Sequence, residues 1–335
     1  MAKRVTIDDI AEAMQISKTQ VSRALRDVYG VSEETRSQII VKAYEMGYDM
    51  SNIRRKKKQG RRVGVVIPKS DLADEFFYLR MVYNLEKIFN DQRIDFKLCI
   101  MEEGVDAKTL ITAIREYEVS MLLTVGMVPD DIISALSSTG YPLAAIDARS
   151  DGLRVNRLCF NNYAGTYQLT RYILSNGHKR VVFAGDPEFT YNFRQRYLGY
   201  ETCMKESGFE ASHIHFTRSG TCNDSELDRL LHSNSAPTAF VCANDRIAFA
   251  LYEELARRGL SIPKDVSVVG FDNVDRCEWS DPPLTSIDFN PRIIADAAAT
   301  LLMECVKYPE ATTRCVTLDA NLIIRQSVAH LKDNQ

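Results

Sequence analysis

Two helix-start signals follow one another near the N-terminus, and together they restrict what the first fifty residues can be. Thr6 can cap a helix with Asp9 three residues on, and Ser17 can cap a second with Gln20 at the same spacing. Ile7, Ile10, Ala11 and Met14 recur at helical intervals in the first, while Val21, Ala24 and Leu25 give the second an inner face. Lys18, Thr19, Ser22, Arg23 and Arg26 are left pointing outward. Two short helices joined by a tight turn, the second displaying basic and hydroxyl side chains, make a helix-turn-helix suited to the DNA major groove. An ordinary helical hairpin with a solvated basic face is the alternative. Adjacent capping boxes, a terminal position and the charge that follows favour DNA.

A third helix is expected over about residues 33–46, capped by Ser32 and ended by Gly47, with Ile39, Ile40, Ala43 and Tyr44 as apolar contacts. Three helices in so few residues have a thin core, so dimerisation or DNA should help the domain stand. Residues 51–62, SNIRRKKKQGRR, carry seven Lys or Arg. Such a run is ordinarily a solvated linker. Directly after a helix-turn-helix it is also placed to meet phosphates, and the counterions it releases would steepen the salt dependence of binding.

The net charge of −3 hides a division. Residues 1–62 hold 14 Lys and Arg against 8 Asp and Glu, and the remainder holds 28 against 37. A basic head on an acidic body leaves only the head suited to a polyanion. At 335 residues two or three domains are expected. No apolar run reaches the roughly 18 residues of a membrane span, and the N-terminus has no signal-peptide core. The eight Cys are scattered without a C-x-x-C, and most, such as Cys99, Cys159 and Cys242, sit in apolar contexts as small buried hydrophobes. These features favour a reducing cytoplasm and no membrane.

From Val63 the pattern changes. RVGVVIP reads as a buried strand, then a helix over about 76–90, strand FKLCI, a helix near 107–117, strand MLLTV, a helix near 130–137 and strand PLAAI. The second half repeats it: a helix over about 163–175, strand RVVFAG, helices near 193–207 and 226–232, strand TAFVC, a helix at 245–257 and strand DVSVVGF. Alternating strands and amphipathic helices imply an α/β class with doubly wound parallel sheets covered on both faces. Two runs suggest two subdomains, and ligands bind such sheets outside the carboxyl ends of the strands. Asp147, Asn244, Asp245 and Asp272 each follow a strand. Any one of them could simply cap the next helix; several on one edge favour recognition of a polar ligand.

Enzyme signatures are missing: there is no G-x-G-x-x-G, no phosphate loop and no G-x-S-x-G. His213 and His215 would share a strand face, but with no further ligand at metal spacing they read as ordinary histidines. No cofactor or metal is expected.

In VTIDDIAEAMQISKTQVSRAL, RVGVVIP, DEFFYLRMVYNLE, PLAAIDAR, NGHKRVVFAGD, RYLGY, ANDRIAFALYEELARRGLSIPKDVSVVGFDN and PPLTSI, taken in order, the chain resembles the LacI/GalR family of bacterial transcription regulators over essentially its full length. The resemblance implies a three-helix DNA-binding head at 1–50, a basic hinge at 51–62 and a periplasmic-binding-protein-like core at 63–335. That core would divide into an N-subdomain of about 63–160 and 289–318 and a C-subdomain of about 161–288 and 319–330. It also implies a homodimer on a pseudo-palindromic operator, controlled by a small effector, usually a sugar. Carried over by position, Lys18, Thr19 and Arg23 reach base edges. Thr6, Ser17 and Ser22 meet phosphates, joined by Arg54, Arg55, Lys56 and Lys57 of the hinge. Phe77 stacks on the effector, and Asp147, Arg194 or Arg196, Asn244 and Asp272 hydrogen-bond it.

The chain departs from the family pattern in three places. Gln15 and Gln20 stand where the family often has Gly and Thr. Lys57 takes the position of an apolar minor-groove wedge, so phosphate and minor-groove electrostatics should replace intercalation. Cys222 falls near where relatives often present an aromatic ring, so stacking on one side of the effector is expected. The reading is a sequence-specific, effector-controlled regulator, most simply a repressor. A ligand-responsive activator, or a sugar-binding protein without gene regulation, are the alternatives.

Overall fold

The structure is a computed structural model that describes residues 5–26, 31–48, 61–74, 76–148, 152 and 154–331. The hinge residues Arg54, Arg55, Lys56 and Lys57, with the expectation about the wedge, lie outside the described residues. Among the described residues no helix is long and apolar enough to cross a membrane.

The head is built from α1 (Ile7–Met14), α2 (Lys18–Arg26) and α3 (Glu33–Glu45). Thr6 closes a capping box on α1, its hydroxyl accepting from Asp9 N–H while the Asp9 carboxylate accepts from Thr6 N–H at 2.7 Å. Ser17 and Gln20 do the same for α2, at 3.2 and 3.1 Å. Ile10, Ala11, Val21, Ala24, Leu25, Ile39 and Ala43 form the small core. Two expected contacts of α3 are absent from it: Ile40 and Tyr44 are exposed, because Ile39 and Ala43 already fill the inward face.

The body begins with β1 (Arg62–Pro68), α4 (Lys69–Asp74), α5 (Phe76–Asp91), β2 (Asp95–Met101), α6 (Ala107–Glu116), β3 (Met121–Val125), α7 (Asp130–Ser137), β4 (Leu143–Ile146) and β5 (Asn156–Phe160). Then follow α8 (Asn162–Ser175), β6 (Val181–Ala184), α9 (Tyr191–Glu206), β7 (His213–Ile214), α10 (Asp224–Leu231), β8 (Ala239–Cys242), α11 (Asp245–Arg257), β9 (Ser267–Val269) and α12 (Arg276–Trp279). The chain ends with β10 (Ser286–Asp288), α13 (Pro291–Lys307), β11 (Cys315–Leu318) and β12 (Asn321–Ile323).

One sheet runs β11-β5-β4-β3-β1-β2 and the other β7-β6-β8-β9, both parallel; β10 and β12 form a separate antiparallel pair. The chain therefore crosses between two lobes three times: after Phe160, between β10 and α13, and between β11 and β12. The inner strands β1, β3, β4, β6, β8 and β9 bury their Val, Ile and Leu on both faces, which is why they are largely apolar rather than alternating. Asn290 caps α13, accepting from Arg292 and Ile293 N–H groups, and Pro291 occupies its first position. α13 lies along α5 and over β4, sealing the first lobe.

α8 and α9 are closely paired in the second lobe. Gly199 makes that approach possible: a Cβ there would meet the Tyr163 carbonyl oxygen at 2.2 Å. Between the lobes runs a chain of rings, Phe77–Phe160–Phe289–Phe271, with centroid separations of 5.9, 4.9 and 5.7 Å. It carries one apolar core behind the cleft that the two lobes enclose.

Candidate functional site

On the head, Lys18, Thr19 and Arg23 are exposed on α2 and Ser22 is half-buried beside them. Lys18 pairs with Asp8 at 2.8 Å in the open. A pair this exposed is weak and can yield to a phosphate or a base. Thr6 and Ser17 are exposed too, but their hydroxyls are already engaged with Asp9 and Gln20 in the caps. Gln15 ends α1 in the left-handed region with φ 54, the conformation that glycine adopts most easily.

In the body, Phe77, Tyr78, Met127, Asp147, Phe160, Phe189, Thr190, Asn192, Phe193, Arg196, Arg218, Asn244 and Asp272 line a cleft with about 470 Å³ of space, counted out to its open mouth. Five of the six effector residues named from the sequence are here: Phe77, Asp147, Arg196, Asn244 and Asp272. Arg194 is not. It lies one helical face away, exposed, and pairs with Glu188 at 2.7 Å. Of the two arginines on α9, Arg196 is the inward one because it falls on the face that buries Phe193 and Tyr200.

Arg196 is held at every edge. Its Nε donates to Asn162 Oδ1 at 2.8 Å, one terminal nitrogen to the Ala243 carbonyl at 2.7 Å and the other to Asp272 at 3.1 Å. The guanidinium lies 3.8 Å over the Phe271 ring. Lysine could not make this planar set of contacts. Burial pushes the Asp272 carboxyl up from its ordinary range, and Arg196 pulls it back. Asn244 Oδ1 accepts from Ile247 N–H at 2.9 Å, so Asn244 caps α11 and lines the cleft at once.

Asp147 leaves β4 with φ 63, and Asp272 follows β9 with φ 104; both backbones are strained where they present their carboxylates. Tyr78 Oη donates to Asp147 at 2.7 Å and Asn192 Nδ2 to both carboxylate oxygens at 2.9 Å. Burial raises the Asp147 carboxyl to about 6, against the pull of those hydrogen bonds. Tyr78 and Asn192 are not recognised in the sequence reading. Tyr78 adjoins Phe77, and Asn192 opens α9 near Arg196; those neighbours are the only signals that could have found them.

A further correction concerns the walls. Cys222 is not among the lining residues; it lies beside Asp224 and Glu254, whose carboxylates pair with Arg257 and Arg258. Aromatic rings line both walls, with Phe77, Tyr78 and Phe160 from the first lobe and Phe189 and Phe193 from the second. His213 meets the Tyr197 ring edge-on and His215 lies 3.4 Å from Asp186. The lobes are joined across the cleft by Asn192–Asp147, by Arg218–Asp71 at 3.0 Å and, near its rim, by Arg80–Asp275 at 3.0 Å.

Residues 6–51 match the family model for bacterial regulatory proteins of the lacI family, and residues 170–328 match that for a periplasmic binding protein-like domain. The chain belongs to the LacI family of bacterial regulators. Among relatives of this regulator is the transcriptional repressor PurR of Pasteurella multocida, 24% identical over 96% of this chain and 98% of the relative. Another is the ribose operon repressor of Haemophilus influenzae, 26% identical over 98% of this chain and 99% of the relative. Of solved structures, a LacI family regulator from Enterococcus faecium with bound ribose matches with a TM-score of 0.69 and 24% identity, covering 81% of this chain and 100% of that one. The lac repressor dimer bound to operator and the anti-inducer ONPF matches with a TM-score of 0.70 and 22% identity, covering 98% of this chain and 100% of that one. These likenesses establish the fold. The LacI-family chain is a DNA-binding transcriptional regulator, not an enzyme.

Proposed function

We propose that this regulator represses transcription as a homodimer and that a small uncharged effector, a sugar, binding in the inter-lobe cleft sets its affinity for an operator. The observation that carries the reading is the cleft's composition. Aromatic rings from both lobes flank a fixed guanidinium, two carboxylates and two amides, which suits a molecule with an apolar face and a rim of hydroxyl groups. The relatives include a ribose operon repressor, and a structural neighbour carries ribose. A flat heteroaromatic effector is the second reading, favoured by the five rings of the cleft.

In this reading Phe77 stacks on the effector, and Asp147, Arg196, Asn244 and Asp272 hydrogen-bond it. Lys18, Thr19 and Arg23 read bases, Thr6, Ser17 and Ser22 approach phosphates, and Arg54, Arg55, Lys56 and Lys57 follow the backbone or minor groove. Two heads would sit about 34 Å apart on a pseudo-palindrome. Because three chain crossings join the lobes, effector binding would turn one lobe on the other and shift the head spacing. A full switch needs about 5.5 kcal/mol of differential affinity between the two states.

Thermal shift against a panel of sugars and nucleobases, followed by gel shift on the protein's own upstream DNA with and without each hit, tests the reading. Stabilisation by a sugar that also changes operator affinity supports it. Failure to bind that DNA at low salt, whatever is added, removes it.

A further inference from the structure

Among the described residues, Asp147, Asp272, Arg196 and Arg218 line the cleft and Asp71 pairs with Arg218 behind it, and this pairing decides which charge an effector can meet. Arg196 is engaged by Asp272, Ala243 and Asn162, as described above. Arg218 comes from the tight turn between the bridged residues Phe216 and Cys222, where Gly220 N–H donates to the Thr217 carbonyl at 2.9 Å. Its side chain lines the cleft and is only 14% exposed. It reaches across to Asp71 of α4, which is wholly buried in the first lobe. The second oxygen of Asp71 accepts from Met127 N–H at 2.8 Å. Gly126 lets the carboxylate sit there: a Cβ at that position would come within 2.3 Å of Asp71 Oδ2, and its φ is +80. The third carboxylate, Asp147, takes its hydrogen bonds from Tyr78 and Asn192, both uncharged.

Both cations are thus matched by an aspartate of the protein, and the remaining carboxylate faces the cleft with neutral donors only. We propose that Asp71 is the charge-selectivity residue of the cleft: by holding Arg218 it withholds that guanidinium from ligands, so the cleft accepts uncharged, donor-rich molecules and rejects their phosphorylated or carboxylated forms. The proposal rests on the reading of the cleft as the effector site. An anion entering it would face Asp147 and Asp272 with no spare cation among the described lining residues, an arrangement that like-charge repulsion and desolvation both oppose. Replacing Asp71 by an isosteric amide keeps an acceptor for Met127 N–H and releases the charge of Arg218 to the ligand space.

The test uses full-length protein and two anionic probes, inorganic phosphate and ribose 5-phosphate, with ribose as the neutral comparison, by titration calorimetry at matched ionic strength. Because the DNA-binding head can itself take up phosphate, the quantity read is the anion affinity lost on Arg218→Gln, whose amide can still donate to Asp71. In the wild-type background that loss should be nil. In the Asp71→Asn background anion affinity should rise by at least about tenfold and vanish again in the double variant. Wild-type anion binding that Arg218→Gln abolishes overturns the proposal, as does a folded Asp71→Asn protein with no gain. Should Asp71→Asn not fold, the wild-type comparison decides alone. If ribose and every other neutral probe fail to bind, the effector reading falls, while the phosphate comparison still reports whether Asp71 withholds Arg218.

Discussion

The amide of Asn192 donates to both carboxylate oxygens of Asp147 at 2.9 Å, and it does so from the opposite lobe. The contact is made by the same side chains that would meet an effector, so binding and lobe closure draw on one set of hydrogen bonds. Asn192→Ala should lower effector affinity by about tenfold while leaving operator affinity without effector within a few-fold, since a hydrogen bond to a charged group contributes about 1.5–3 kcal/mol. Calorimetry and gel shift on the same preparation measure the two halves. Equal losses in both would show that Asn192 supports the fold rather than the response.

Asp147 also makes a pH prediction. Its carboxyl has an ordinary value of 3.8 and lies at about 6 in the folded protein, raised by burial. The folded state therefore holds the proton more tightly than the unfolded chain. The stability this contributes is full below 3.8 and is lost as the pH rises through about 6. Effector affinity should move the other way for a ligand hydroxyl that donates to the carboxylate, strengthening as the pH passes about 6. Asp147→Asn should flatten that profile; an unchanged profile in the variant would assign the titration to another group.

Arg196→Met is expected to be costly. It leaves Asp272, the Ala243 carbonyl and Asn162 Oδ1 without their donor in a buried site. Removing one partner of a buried pair typically costs about 3–5 kcal/mol. Urea denaturation followed by circular dichroism should show the loss, and Arg196→Lys should restore only part of it. Arg194→Ala, a few residues away on the outside of α9, should change stability little.

The Gln15 backbone lies in the left-handed region at the end of α1. Gln15→Gly removes the penalty of a side chain there and should stabilise the head by about 1 kcal/mol. Hydrogen exchange of the Ile10 and Val21 amides is the readout; faster exchange in the variant would contradict it.

Arg23→Ala separates the two kinds of DNA contact. If Arg23 reads a base, discrimination at one operator position should fall by about 1–3 kcal/mol. If it touches phosphate, binding should weaken alike on every sequence and the salt slope should drop by about one. Gel shift across single-base operator variants at several salt concentrations distinguishes them.

Much of this architecture was legible in the residues, for identifiable reasons. The capping boxes of the head and the buried apolar strands β1, β3, β6 and β8 are local signals, and they came through. So did α7 and α11, whose bounds the pattern matched. α13 was not named from the sequence, although Asn290 and Pro291 mark its start and its buried Ile294, Ala295, Ala298, Leu301, Leu302 and Cys305 recur at helical spacing. β5, β11 and β12 were missed because they are partly exposed and mixed in composition. In the cleft, residues that end strands could be found by position. Arg218 and Asp71 could not, because what brings them together is the meeting of two lobes and not any spacing along the chain.

The three passages between lobes have a consequence for how the molecule is made. β5 forms an open edge until Cys315–Leu318 is synthesised, so the lobe that begins first is completed almost last. The four strands of the other sheet, ending at Val269, have all emerged by then. A ribosome-bound chain thus carries an unfinished sheet edge for nearly half of its synthesis, a surface open to wrong pairing. Truncations that spare every residue of the cleft but stop short of Leu318 should accumulate as aggregates instead of as a smaller receptor.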